Sequence, residues 1–200
     1  MISDIKPKLS PVINLIAKPF LKINPNIITI TGLIFPVLFL FFMSQKNYIL
    51  SLIMLIGTAF DTIDGAVARL TNKVTKFGGL LDSTLDRVAD ALIIIGFSAS
   101  GLVSINLVIV TLVTSYLISY IRSRAELASN GAFVLNIGVI ERPERIALLG
   151  LALIFAFQPF DKYMIWGTSM SGIVFYLLVG LSIITIIQRL IVAKKRLSMS

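Results

Sequence analysis

Six apolar runs, at positions 27–43, 48–60, 91–103, 105–121, 146–160 and 164–192, take up most of this 200-residue chain. A helix needs about 20 apolar residues to cross the ~30 Å hydrocarbon layer of a bilayer. Several of the runs are shorter than that, so the second and third helices have to take in the charged stretch 61–90 between them. A hydrophobic fraction of 56%, a charged fraction of 14% and a mean hydropathy of +0.94 lie outside the range of soluble domains. The expected fold class is therefore all-α integral membrane, with six transmembrane helices in one domain over 1–200 and the six-helix bundle at about 26–195.

Ahead of the first run, Leu9, Val12, Ile13, Ile16 and Phe20 recur at helical spacing, with Lys8, Lys18 and Lys22 directed elsewhere. Ser10 and Pro11 suit an N-cap and the first helical position. The stretch at about 3–22 thus reads as an N-terminal interfacial amphipathic helix, ended or kinked at Pro19. Asn24-Pro25-Asn26 then turns the chain into the first membrane helix near Ile27. The orphan N–H groups at that turn suit a polar ligand as well as they suit a plain turn and cap.

With both termini inside, sixteen of the eighteen Lys and Arg fall on inner segments and only Lys46 and Lys162 on outer loops. That asymmetry requires an even number of spans. The net charge of +8 becomes a one-sided basic face toward anionic membrane lipid, with no nucleic acid implied. The chain has no cysteine and no histidine, which removes disulfides, thiol chemistry and the usual neutral-pH base. No cleavable signal peptide is evident, and the expected location is the cell membrane, multi-pass, with termini and site on the cytoplasmic side.

Against this background Asp61, Asp64, Asp82, Asp86 and Asp90 stand out: half of the ten acidic residues fall within thirty positions. Each ionised carboxylate in a bilayer costs about 2.5–3.5 kcal/mol or more. On helices, Asp61 and Asp64 are i and i+3, and Asp82, Asp86 and Asp90 follow at i+4, so each set lines one face. Two antiparallel helices joined by the loop bearing Arg69, Lys73 and Lys76 would aim these groups at one point, with Gly65, Gly78 and Gly79 allowing close approach. Divalent cations are the natural partners of so many carboxylates. A register-fixing ion-pair network and a cation channel or carrier are the other readings, against a metal-dependent phosphate enzyme.

The pattern Asp61-x2-Asp64-Gly65-x2-Ala68-Arg69-x8-Gly78-x3-Asp82-x3-Asp86 resembles in full the signature of the membrane CDP-alcohol phosphotransferases. The resemblance implies two divalent ions, Mg²⁺ or possible Mn²⁺, on Asp61, Asp64 and Asp82, with Asp86 as a further ligand and general base. It also implies CDP-lipid contacts from Asn24, Pro25, Asn26, Ile27, Gly65, Arg69, Thr75 and Gly78. The implied reaction is displacement at the lipid-bearing phosphorus of a CDP-lipid by an alcohol, with release of CMP. Paired cations and a carboxylate base make that chemically coherent.

Arg122, Arg142, Arg145 and Arg189 lie near the inner ends of three different helices, a convergence that would form a phosphate-sized basic pocket. The alternative is that they snorkel to headgroups or pair with Glu126, Glu141 and Glu144. The runs ISYIRSRAE and IERPER resemble the phosphatidylinositol phosphate synthase branch of the family and its archaeal counterpart, the archaetidylinositol phosphate synthases. There the acceptor is inositol 1-phosphate, its phosphate held by residues matching Ser119, Arg122, Arg142, Arg145 and Arg189. Arginine stands at 122 where the bacterial branch commonly has lysine, which keeps the charge and changes the geometry. The donor is CDP-archaeol or CDP-diacylglycerol, with a lean to the archaeal type, and a homodimer is implied. Another acceptor (glycerol phosphate, serine or inositol), an intramembrane prenyltransferase and a cation transporter remain the competing functions. The inner loop 127–139 contains Gly and Asn and is expected to be mobile.

Overall fold

A computed structural model describes residues 13–157, 164–165 and 167–198. The chain is mostly helical and divides into two compact units, Met1–Ser100 and Gly101–Ser200. The start of the expected interfacial helix, with Leu9, Val12 and the Ser10-Pro11 cap, lies outside the described residues.

In the first unit, helical residues 13–17 run into a 3₁₀ turn, Lys18–Phe20, at Pro19. Ala17 is fully buried in a cluster with Ile28, Ile63, Ala66 and Val67, against which Ile13 and Phe20 pack, whereas Ile16 is 46% exposed. The buried side of this segment therefore passes through Ile13, Ala17 and Phe20, one position off the expected Ile16.

Helix α1 (Pro25–Gly32) starts at Asn24, whose Oδ1 accepts the Asn26 N–H at 3.0 Å. It gives way at Leu33 to α2 (Ile34–Ser44). Pro36 explains the break: it has no N–H for the Gly32 carbonyl, and its ring crowds that carbonyl. Helix α3 (Tyr48–Gly57), capped by Asn47, passes through a 3₁₀ turn, Thr58–Phe60, into α4 (Asp61–Leu70). α4 ends at Asn72, whose φ of 55° lets the Lys73 N–H reach the Ala68 carbonyl at 2.9 Å. Helix α5 (Lys76–Ala99) follows from the N-cap Thr75. α2 packs on α3 and α5, and α1 packs on both α4 and α5.

The second unit begins with α6 (Ile105–Ala128), capped by Ser104. The loop 129–141 leads to α7 (Arg142–Ile154), which opens with a capping box: the Glu141 N–H donates to Glu144 Oε2 at 3.1 Å. A two-residue antiparallel pair, β1 (Met164–Ile165) with β2 (Thr168–Ser169), is a small departure from the all-helical expectation. The Ser169 hydroxyl then accepts from the Gly172 N–H and starts α8 (Met170–Leu197), which packs on α6 and α7.

Among the described residues four helical stretches are long and apolar enough to cross a membrane: Pro25–Ser44, Tyr48–Leu70, Ile105–Ala128 and Met170–Leu197. Along the first, Ile27, Ile30, Ile34, Val37 and Phe41 form a stripe, each at least 50% exposed, while Ile28, Phe39 and Met43 are buried. Such an outward apolar stripe suits a surface that meets hydrocarbon or another protein. The other two expected spans behave differently. α5 has the length, 24 residues, but carries Lys76, Asp82, Asp86, Arg87 and Asp90. α7 has 13 residues, about 20 Å at 1.5 Å per residue, and expected positions 158–160 lie outside the described residues.

Candidate active site

The first unit brings together much of the expected nucleotide site. Asn26 is the second residue of α1 and Gly78 the third of α5, and a Cβ added at Gly78 would lie 3.2 Å from Asn26 Oδ1 and 3.0 Å from Thr75 Oγ1. Thr75 Oγ1 already accepts the Gly78 N–H at 2.9 Å. Two helix N-termini therefore meet at a point where any larger residue would press on Thr75 and Asn26. The positive ends of both helix dipoles favour an anion there. Pro25 is buried and Ile27 exposed at the same turn. The Arg69 guanidinium lies over Gly65, with Nη1 3.3 Å from where a Gly65 Cβ would sit, so these two expected residues also lie together.

Asp61 and Asp64 occupy the first turn of α4, within the continuous helical stretch Tyr48–Leu70. Asp64 is 5% exposed, and both of its oxygens are engaged: Oδ2 accepts from Thr29 Oγ1 at 2.5 Å, and Oδ1 accepts from the Gly65 N–H. Asp61 and Asp82 are its electrostatic neighbours. Asp86 is 18% exposed at the side chain, with Arg87 Nη1 3.7 Å from its Oδ2, and Asp90 is buried.

The donor set suits a hard divalent cation: the chain offers carboxylate oxygens, with no His or Cys to compete. As the side chains stand, no three carboxylates among the described residues are drawn together tightly enough to hold an ion. The kind and neighbourhood of the donors fit the cation; their full convergence is not formed.

In the second unit three of the four expected arginines share a neighbourhood. Arg189 feels Arg122 and Arg145, and also Glu126 and Glu141. Two of its five donors are committed: Nε donates to the Ile137 carbonyl at 2.7 Å and Nη1 to the Ile118 carbonyl at 2.6 Å, while Nη2 lies 3.7 Å from Glu141 Oε1. Arg189 and Arg145 are 3% and 4% exposed. Arg122 Nε donates to Glu126 Oε1 at 2.9 Å. Carboxylate pairing, the alternative weighed from sequence, is thus realised at Arg122 and Arg189. Arg142 opens α7, and Ser119 is half-buried on α6.

The segment expected to be mobile, 127–139, is anchored at several points. Besides Arg189, Thr185 Oγ1 accepts the Ile140 N–H at 3.1 Å, and Glu126 Oε1 accepts the Leu135 N–H at 3.3 Å. Leu135 is fully buried against Ala125 and Ala193, and Arg196 stacks over Phe133. Its Gly and Asn residues serve turns rather than motion: Asn130, Gly131 and Gly138 have φ of 51°, 78° and 151°.

Two partners went unanticipated. Thr29 stands in a run that reads as apolar; its only signal is a hydroxyl one turn after Pro25. The carbonyls held by Arg189 carry no sequence signal at all.

A sequence model of the CDP-alcohol phosphatidyltransferases matches residues 22–194, which include every signature position and most of each unit. The chain belongs to this family. It is 42% identical over 202 residues, 100% of both chains, to an archaetidylinositol phosphate synthase of Pyrococcus horikoshii. It is 32% identical to a phosphatidylinositol phosphate synthase of Corynebacterium glutamicum, with 94% of this chain and 84% of that one covered. Among solved structures, the phosphatidylinositol phosphate synthase of Mycobacterium tuberculosis with CDP-DAG bound matches with a TM-score of 0.75 at 29% identity, over 92% of this chain and 94% of that one. The same enzyme with manganese and citrate gives a TM-score of 0.74 at 29% identity, over 90% of this chain and 88% of that one. This family member is accordingly a transferase of phospholipid biosynthesis with membrane helices.

Proposed function

We propose that the protein transfers an archaetidyl or phosphatidyl group from a CDP-lipid to inositol 1-phosphate, releasing CMP, in a Mg²⁺-dependent reaction. The observation that carries this reading is the meeting of two capped helix N-termini at Asn26, Thr75 and Gly78, in a chain similar at full length to an inositol-phosphate lipid synthase. In this account Asn24, Pro25, Asn26, Ile27, Thr75 and Gly78 receive the CDP moiety, and Gly65 leaves room for Arg69 to pair with its diphosphate. Asp61, Asp64, Asp82 and Asp86 hold two Mg²⁺ ions, or Mn²⁺, the cation named with one solved relative. The bound ions neutralise the diphosphate and the leaving phosphate oxygen. Asp86 accepts the proton of the acceptor hydroxyl, whose oxygen bonds to the lipid-bearing phosphorus as the bond to CMP breaks.

Ser119, Arg122, Arg142, Arg145 and Arg189 take the acceptor phosphate. Around Arg189 the three cations face two carboxylates, which leaves net positive charge for an anion. One catalytic domain with six spans, an N-terminal interfacial helix, a cytoplasmic active site and termini, and a homodimeric state complete the reading; the charge asymmetry of the loops supports the orientation.

A radiolabelled transfer assay tests it. CDP-archaeol and CDP-diacylglycerol are offered against inositol 1-phosphate, inositol, glycerol phosphate and serine, with and without Mg²⁺. Metal-dependent CMP release with inositol 1-phosphate alone is expected. Equal turnover with inositol would remove the acceptor assignment, and ion flux without CMP release would remove the transferase reading.

A further inference from the structure

Thr29 is polar, 8% exposed, and placed on α1 directly against Asp64 of α4. Its hydroxyl carries one proton and has two acceptors in reach: Asp64 Oδ2 at 2.5 Å and the Pro25 carbonyl at 3.0 Å. The charge on the acceptor directs the proton to Asp64. With the Gly65 N–H on Oδ1, each carboxylate oxygen then has one fixed donor and one direction left open. A carboxylate held this way cannot rotate without giving up a buried hydrogen bond. Thr29 also lies within one turn of the Asn24–Ile27 segment, so the same helix that offers its N-terminus to an anion holds this carboxylate in place.

We propose that Thr29 is a positioning residue: its hydroxyl orients the Asp64 carboxylate toward the divalent cation. The inference rests on Asp64 being a metal ligand, as argued under the proposed function. Hydrogen bonds to metal-ligating carboxylates of this kind carry about tenfold to a hundredfold in metal affinity.

The test is Mn²⁺ binding to the full-length protein in detergent, followed by electron paramagnetic resonance, beside the Mg²⁺ activation constant and the KM for CDP-lipid. Thr29→Val keeps the shape and removes the donor; it should raise the Mn²⁺ dissociation constant about tenfold or more. Thr29→Ser keeps the donor and should stay within about threefold of wild type. Asp64→Asn controls for the ligand itself and should lose most binding. Wild-type Mn²⁺ affinity in Thr29→Val, with affinity lost in Asp64→Asn, would overturn the positioning role and leave the metal reading intact. Wild-type affinity in Asp64→Asn would overturn both. If Thr29→Val does not elute as a folded species, Thr29→Ala carries the same comparison without setting a methyl against the carboxylate.

Discussion

Replacing Arg189 with Met removes the guanidinium while keeping most of the stem, so the cost should come from the groups it leaves behind. Those are the carbonyls of Ile137 and Ile118, at 2.7 and 2.6 Å, and Glu141 at 3.7 Å. A hydrogen bond from a charged group contributes about 1.5–3 kcal/mol, and neutral interhelical bonds in membranes average about 0.6 kcal/mol. Taking the low end for the two short bonds, and nothing for Glu141, which keeps some access to solvent, gives about 3 kcal/mol. For a chain of this length that corresponds to a fall in Tm of about 6–12 °C. The same loss should open the loop 129–141 locally. The Leu135 and Ile140 amides, protected by Glu126 and Thr185, should exchange with deuterium about a hundredfold faster, while amides in α2 and α3 keep their rates. Hydrogen–deuterium exchange with mass spectrometry and thermal size-exclusion measurements read both. A variant that melts within 2 °C of wild type, by an order-of-magnitude standard, with unchanged loop exchange would refute the view that Arg189 clasps this loop.

Asp86→Asn should keep CDP-lipid binding and lower kcat by about 10²–10⁴-fold; turnover at the wild-type rate would remove Asp86 as the base. Gly78→Ala places a methyl 3.0 Å from Thr75 Oγ1 and 3.2 Å from Asn26 Oδ1, so the KM for CDP-lipid should rise about tenfold while that for the acceptor stays level. Glu141→Gln removes the charge facing Arg189 yet keeps an acceptor for the α7 cap; the acceptor KM should fall about fivefold if the phosphate competes with that carboxylate, and an unchanged KM would place the phosphate elsewhere. Chelation of divalent ions should abolish transfer, and either Mg²⁺ or Mn²⁺ should restore it.

Much of the candidate site stands out in the sequence because its residues break local rules. Aspartates in apolar helices, glycines at fixed gaps and an N-capped turn at Asn24 are all costly or conspicuous where they stand, and the structure finds Asn26, Thr75 and Gly78 together, as it does Gly65 and Arg69. What stayed hidden was local and geometric. The interruption at Leu33 follows from Pro36 but was submerged in one continuous apolar run. Composition suggested a mobile loop at 127–139, because Gly and Asn mark positive φ as readily as motion; only long-range partners such as Arg189 and Thr185 separate the two.

The two units share one physical problem, which is to keep ionised groups in a largely apolar chain. In the first unit Asp64 is met by a hydroxyl and a backbone amide, donors that leave its negative charge uncancelled. In the second, Arg122 meets the Glu126 carboxylate, and Arg189 meets two carbonyls and, at 3.7 Å, Glu141. A buried anion held only by neutral donors still attracts a cation strongly, whereas a buried cation already paired with carboxylates attracts an anion weakly unless a carboxylate yields. The asymmetry sorts the two sites by what they ask of a ligand. On the proposed function, the aspartates would draw divalent ions, and through them a diphosphate, whereas the arginines would take an acceptor phosphate more readily once Glu141 or Glu126 yields. Acceptor affinity should therefore respond to the loss of those glutamates more than to the loss of any carboxylate in the first unit.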